Sequence, residues 1–114
     1  MCAARGMDAK FFKSVDEFRA WLEENHAKAR ELWVGYYKKG SGKIGITLQE
    51  SIDQALCYGW IDGIVKKVDE DSYANRFTPR RPDSAWSETN IKRFKELQRL
   101  GLVRPSGLKA FNKR

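Results

Sequence analysis

The chain has 114 residues, of which 41% are hydrophobic, 32% charged and 12% aromatic. This length and composition predict one globular domain and exclude extensive disorder. The net charge is +7, and residues 76–114 carry all of the excess, with 11 Lys and Arg against 3 Asp and Glu. Such a segment favours anionic partners, although a solvated basic helix that only keeps the chain soluble would give the same count.

Two other features of the sequence exclude further classes of protein. Two cysteines, Cys2 and Cys57, cannot build the disulfide framework of a small secreted domain. No apolar run approaches the roughly 18 residues of a membrane-spanning helix, and no signal peptide pattern is present. We therefore expect a cytoplasmic protein that does not insert into a membrane, with Cys57 as a small buried core residue.

The first half of the chain predicts one helix and one strand. Residues 1–10 are expected to be a loose leader, followed by a single domain over residues 11–114. The first helix begins at Ser14, where Glu17 three residues later completes a capping-box pattern. The segment ELWVGYYKKG, residues 31–40, is rich in β-branched and aromatic side chains and predicts a strand.

The second half predicts a helix, a β-hairpin and a further helix. Thr47 and Glu50 form a second capping-box pattern, and helix two ends in CYGWIDG, where the glycines and the aspartate predict a stop and a turn. IVKKV and YANRFT flank the acidic turn at residues 69–72, and helix three covers roughly residues 87–100. PSGLKAF, residues 105–111, is expected to add one helical turn. The prediction is an α+β domain of order α-β-α-β-β-α, built around a small antiparallel sheet with a β-hairpin.

Motifs for cofactors, metals and catalysis are weak. GSGKIG, residues 40–45, matches a dinucleotide-binding pattern, but the helix cap Thr47 follows all three glycines, and Lys43 precedes Ile44 rather than Ser or Thr. A turn is the better interpretation. His26 is the only histidine, so no metal shell can be assembled from histidines or paired cysteines. We expect no cofactor, no metal and no catalytic set.

Two segments, CYGWIDG and RFTPRRPDSAWS, are expected to meet at one end of the sheet as a binding surface. Arginines bind phosphate or carboxylate with two parallel hydrogen bonds, and aromatic faces stack on bases or cations. Lysines and arginines on helix three would extend this basic surface. The candidate binding residues are Tyr58, Trp60, Asp62, Arg76, Arg80, Arg81, Trp86 and Asn90.

A purely structural role for the same residues stays open. Asp62 could pair with Arg80 or Arg81 and hold the two segments together, with Trp60 and Trp86 both in the core.

The segments ELWVGYYKKGSGK, ALCYGWIDG and RFTPRRPDSAWSETN, in this order, resemble the YdeI/OmpD-associated family of bacteriocin-protection proteins. The resemblance covers roughly residues 12–111. It implies a small bacterial α+β domain linked to stress or bacteriocin tolerance, and a porin link that rests on the family label alone. It implies no established reaction.

The sequence therefore predicts a cytoplasmic binding module, not an enzyme, that binds an anionic partner through Trp60, Asp62, Arg80, Arg81 and Trp86. Single-stranded nucleic acid and an acidic protein are both candidates for that partner. The alternative is an enzyme that acts on a small phosphorylated or carboxylated substrate. In that case Asp62 would be the general base, which requires that its carboxylate be accessible.

Overall fold

A computed structural model describes residues 9–81 and 85–113, which form three strands and four helices. The elements in chain order are α1 (Val15–Asn25), β1 (Leu32–Tyr37), α2 (Leu48–Tyr58), β2 (Trp60–Asp69), β3 (Ser72–Pro79), α3 (Glu88–Arg99) and α4 (Pro105–Asn112). The α+β class and the order of the first six elements confirm the prediction. The single helical turn predicted near the end is instead a helix of eight residues, α4.

The strands form one antiparallel sheet of order β1-β3-β2, so β3 is the central strand. The hairpin predicted around the acidic turn is formed by β2 and β3. Trp60, the first residue of β2, lies opposite Pro79, the last residue of β3. Tyr37 at the end of β1 lies opposite Ser72 at the start of β3. The hairpin turn and the Trp60 end of the sheet therefore lie at opposite ends of the strands.

Strand β2 is longer than the sequence predicted. Helix α2 stops at Gly59, whose φ of +80° lies in the left-handed region that favours glycine. The chain enters the sheet at the next residue, so Asp62 and Gly63 lie inside β2, and the prediction of a turn at these two positions was wrong. A register shift between Asp62 and Val65 accommodates one additional residue, as in a β-bulge.

Helix starts follow the predicted caps, although only one capping box is complete. The Thr47 hydroxyl accepts a hydrogen bond from the Glu50 backbone N–H, and the Glu50 carboxylate accepts one from the Thr47 N–H. At α1 the Ser14 hydroxyl caps the Glu17 N–H, but the Glu17 carboxylate accepts from the Lys13 N–H at 2.8 Å. The predicted box at Ser14 is therefore only half formed.

The core lies between the sheet and the helices. Its members include Phe18 and Leu22 of α1, Leu56 of α2, and Val34 and Phe77 of the sheet, all almost completely buried. The thiol of Cys57 is fully buried, as predicted, and this burial raises its pKa.

The start of the described chain runs beside β1. Residues 1–8 of the predicted leader lie outside the described residues. Lys10 forms a parallel bridge with Val34: its N–H donates to the Trp33 carbonyl, and its carbonyl accepts from the Gly35 N–H, each at 2.8 Å. No helix in residues 9–81 or 85–113 is long and apolar enough to cross a membrane.

Candidate functional site

The two segments singled out in the sequence meet at one end of the sheet, as predicted. The Arg80 N–H donates to the Gly59 carbonyl oxygen at 2.9 Å, which joins the chain leaving β3 to the chain entering β2. Helix α4 covers the same place, where the Ser106 hydroxyl donates to the Tyr58 carbonyl oxygen at 2.9 Å. Three parts of the chain therefore surround the end of α2.

Close backbone contact holds α4 against α2. A Cβ atom at Gly107 would lie 2.2 Å from the Cys57 carbonyl oxygen, and one at Gly59 would lie 2.8 Å from the Ser106 carbonyl oxygen. The Arg104 N–H donates to the Cys57 carbonyl at 2.9 Å. Only glycine permits this approach at positions 59 and 107, so the position of α4 depends on both glycines.

A cleft of about 260 Å³ lies among these elements. Its aromatic and small apolar lining residues are Ala27, Tyr58, Gly59, Trp60, Pro79 and Ala110. Its polar lining residues are His26 and Ser106, and its cationic ones are Arg80, Arg81, Lys109 and Lys113. No carboxylate occurs among the described residues that line it. The cleft is therefore a cationic site with a largely apolar floor.

Tyr58 contributes its ring to the floor. Its hydroxyl donates to Glu23 Oε1 at 2.7 Å, and Arg104 Nε lies 3.2 Å from the same oxygen. Burial, and the hydrogen bond to Glu23, raise the pKa of Tyr58. Because this hydroxyl is engaged outside the cleft, Tyr58 offers a ligand only apolar contact.

Trp60 is a core residue. Its side chain is 1% exposed, its indole N–H donates to the His26 carbonyl at 3.3 Å, and its ring meets the Trp21 ring edge-on at 5.9 Å. A ring this deeply buried presents no face on which a base could stack. Trp60 therefore supports the cleft from below.

Trp86 holds Arg80 in place. The guanidinium carbon of Arg80 lies 4.0 Å from the centroid of the half-buried Trp86 ring, a cation–π contact. The Trp86 ring also meets Phe94 of α3 and Phe111 of α4 edge-on, at 5.6 and 5.3 Å. Since Arg80 already occupies one face of Trp86, this ring positions the cation.

Arg80 and Arg81 differ in exposure. Arg80 is half-buried, and its Nη1 donates to the Ala85 carbonyl at 3.3 Å. Burial lowers the pKa of Arg80, while the nearby charge of Asp62 opposes this shift. Arg81 is exposed on the rim. The cleft thus combines one guanidinium packed on an aromatic ring with one that is exposed to solvent.

Four predicted site residues do not line the cleft: Trp86, which holds Arg80, and Asp62, Arg76 and Asn90. Asp62 is half-buried in β2 opposite Phe77 and forms no ion pair with any residue of 9–81 or 85–113, so the predicted pair with Arg80 or Arg81 is not formed. Arg76 pairs with Glu31 at 2.6 Å. Asn90 lies in the first turn of α3, where its N–H donates to the Ser87 hydroxyl.

The sequence prediction missed the contribution of α4. It assigned the basic stripe to helix three, where Lys92 and Lys95 are exposed but line no part of this cleft. Lys109 of α4 and Lys113, the residue directly after α4, are four residues apart and both line the cleft. That spacing was the available signal, and recognising α4 as a helix was needed to use it.

The glycine-rich segment at residues 40–45 forms a loop, as predicted. Gly40 and Gly42 have φ of +90° and +82°, and neither has an atom within 4 Å of where a Cβ would lie. The loop therefore has the open, left-handed geometry of a turn.

Comparison with known proteins identifies the family. A family model described as a domain of unknown function, DUF8412, matches residues 10–110. No curated protein and no solved structure matches the chain.

The resemblance to the YdeI/OmpD-associated family was wrong, since only the DUF8412 family matches. The expected bacteriocin tolerance and porin link rested on this resemblance, and they lose that support. The residues that suggested it have structural roles here: Gly59 ends α2, Trp60 enters the core, and Arg80 packs on Trp86. Nearly the whole chain matches DUF8412, and the chain therefore belongs to this family of unknown function.

Proposed function

We propose that this domain is a binding module for an anionic ligand, a single-stranded nucleic acid, one nucleotide of which enters the cleft. The observation that carries the proposal is charge: Arg80, Arg81, Lys109 and Lys113 line one small cleft, and none of its described lining residues is acidic. Cations gathered in this way attract phosphates through a long-range, sequence-independent interaction.

The floor of the cleft favours a nucleotide over an acidic side chain. Tyr58 and Trp60 are 2% and 1% exposed, so the apolar surface open to a ligand comes mainly from Ala27, Pro79 and Ala110. A nucleotide carries a flat base with apolar faces beside its phosphate, whereas aspartate and glutamate carry only a short chain. A volume of about 260 Å³ is just below the roughly 300–1,000 Å³ of pockets for drug-sized ligands, so it suits one unit of a polymer.

The burial of Trp60 and the packing of Trp86 change how binding would work. Neither ring offers an open face of the kind that stacks bases in single-strand binding proteins. Affinity would come chiefly from phosphate contacts by Arg81, Lys109 and Lys113. Such contacts give weak sequence preference and steep salt dependence.

Catalysis with Asp62 as general base gains no support from the geometry. Asp62 is half-buried in β2 and does not line the cleft that holds the cations. A base must lie within hydrogen-bonding reach of the substrate, so the binding function is the better proposal.

The test is a titration of an internally labelled single-stranded oligonucleotide, followed by fluorescence anisotropy. Lys109→Ala/Lys113→Ala is expected to weaken binding about tenfold at about 50 mM salt, because two phosphate contacts are lost. Lys92→Ala/Lys95→Ala is the matched control. It removes the same charge from exposed helix positions outside the cleft, and we expect a much smaller effect.

The outcomes separate the candidate partners. Equal weakening by both double variants would contradict a site in the cleft and indicate diffuse attraction by net charge. If the oligonucleotide does not bind but an oligoglutamate peptide does, and Lys109→Ala/Lys113→Ala abolishes that binding, the partner is an acidic protein. Binding of the wild type should fall roughly tenfold or more between about 50 and about 200 mM salt.

A further inference from the structure

We propose that the cleft selects a phosphomonoester, the terminal phosphate of a strand, over the phosphodiesters inside it. This inference rests on the proposed function and names the group that the cleft recognises. Three observations carry it: the number of cations, the closed floor of the cleft, and the hydrogen bonding of His26.

Four cations line a space that suits a single nucleotide. An internal phosphodiester carries one negative charge, which is fewer than the three positive charges of Arg81, Lys109 and Lys113. A phosphomonoester carries about −1.5 to −2 at neutral pH and presents three terminal oxygens. The phosphomonoester therefore matches the cations of the cleft, Arg80, Arg81, Lys109 and Lys113, better in charge and in number of acceptor oxygens than a phosphodiester does.

The floor of the cleft is closed by backbone. Gly59 and Ser106 both line it, and a Cβ atom at Gly59 would lie only 2.8 Å from the Ser106 carbonyl oxygen. The Ser106 hydroxyl is also bonded to the Tyr58 carbonyl. Because α2 and α4 are in direct contact here, a strand can enter and leave only through the mouth of the cleft. The backbone of an internal nucleotide would have to turn back on itself to do so, whereas a strand end need not.

His26 adds a contact that distinguishes the two phosphate types. Its Nδ1 lies 2.7 Å from the Leu22 carbonyl oxygen, which can only accept, so Nδ1 carries a hydrogen and Nε2 is the nitrogen left for a ligand. In the neutral ring Nε2 is a hydrogen-bond acceptor, and it can accept the P–OH hydrogen of a singly ionised phosphomonoester. An ionised phosphodiester carries no such hydrogen and cannot donate to Nε2.

The experiment compares three oligonucleotides of one sequence, with an internal label and a 5′-phosphate, a 3′-phosphate or only hydroxyl ends. We expect either the 5′-phosphate strand or the 3′-phosphate strand to bind about tenfold tighter than the strand with only hydroxyl ends. The reason is that hydrogen bonds between charged groups are stronger than those between neutral groups. Lys109→Ala/Lys113→Ala should abolish this preference, and Lys92→Ala/Lys95→Ala should retain it. His26→Gln should reduce it. Thermal unfolding of each variant checks that it is folded.

The outcomes separate this inference from the proposed function. If all three strands bind the wild type equally, and Lys109→Ala/Lys113→Ala weakens all of them, the function stands and the preference for a monoester is wrong. Competition by a nucleoside monophosphate, but not by its cyclic phosphodiester, would support the monoester. If no strand binds but a labelled nucleoside monophosphate binds directly, the ligand is a small phosphomonoester and the nucleic-acid function is wrong. If neither strands nor monophosphates bind, both proposals are wrong.

Discussion

Gly59 is the residue on which the geometry of the cleft most depends. It ends α2 in the left-handed conformation, its carbonyl accepts the Arg80 N–H, and its α-carbon faces the Ser106 carbonyl of α4. A side chain here would meet two obstacles, one in its own backbone conformation and one in the neighbouring helix.

Gly59→Ala is expected to destabilise the fold more than Gly101→Ala. Both glycines lie at the end of a helix, with φ of +80° and +77°, so both substitutions incur the left-handed penalty of about 1–2 kcal/mol. Only at Gly59 would the new Cβ collide with backbone, raising the loss to about 2–5 kcal/mol. Urea unfolding measures the difference, and equal losses at the two positions would show that α4 moves aside freely.

Some residue roles could be predicted from the sequence because they depend only on neighbours in the chain. The stop at Gly59, the cap at Thr47 and the burial of Cys57 in a helical pattern are of this kind. The sequence left the role of Trp60 open between a binding surface and the core. Its burial follows from the contact of β2 with Trp21 of α1, and local sequence does not specify that contact.

An ion pair joins α2 to α3. Arg93 donates to both carboxylate oxygens of Asp53, at 2.8 and 2.7 Å, and the Gln49 amide donates to Asp53 as well. The Asp53 side chain is only 11% exposed. Its carboxylate therefore depends on Arg93 for compensation of its charge.

Arg93→Ala is expected to cost about 1–3 kcal/mol of unfolding free energy, because it leaves the Asp53 carboxylate buried without its cation. Arg99→Ala is the matched control, since Arg99 lies on the same helix and pairs with Glu96 at the surface. A surface pair contributes about 0–1 kcal/mol. Similar losses in both variants, measured by urea unfolding, would contradict a structural role for the Asp53 pair.

Helix α4 is longer than the single turn that the sequence predicted. Eight residues form a marginal helix in isolation, so the local pattern predicted only one turn. Tertiary packing extends it: the Phe111 ring stacks on Phe94 at 4.3 Å, and Gly107 lies against Cys57. Because these contacts join distant parts of the chain, the sequence did not reveal that Lys109 and Lys113 belong to the site.

At the scale of the whole molecule, one core connects the sheet with α1, α2 and α3. We expect a single cooperative unfolding transition, because none of these elements has a core of its own. Fluorescence from the four tryptophans, among them the buried Trp60, should therefore give the same urea midpoint as far-ultraviolet circular dichroism. An earlier loss of either signal would contradict this and indicate that part of the fold opens separately.

The α+β class could be predicted because caps, turns and hairpin signals agree along most of the chain. The family could not, since the segments that suggested it carry residue types that this fold itself requires, such as Gly59 and Trp60. The meeting of the two segments at one end of the sheet followed from the order of the elements. The contribution of α4 to the lining of the cleft did not follow from that order.

The contact between α2 and α4 also has a consequence for biosynthesis. The ribosome adds residues from the amino terminus onward, so α1, the sheet and α3 are complete before Lys109 and Lys113 exist. A nascent chain that has reached Arg104 carries only two of the cleft's four cations, and its floor lacks Ser106. The cleft proposed to bind an anion is therefore incomplete during translation, and it is completed only when α4 docks.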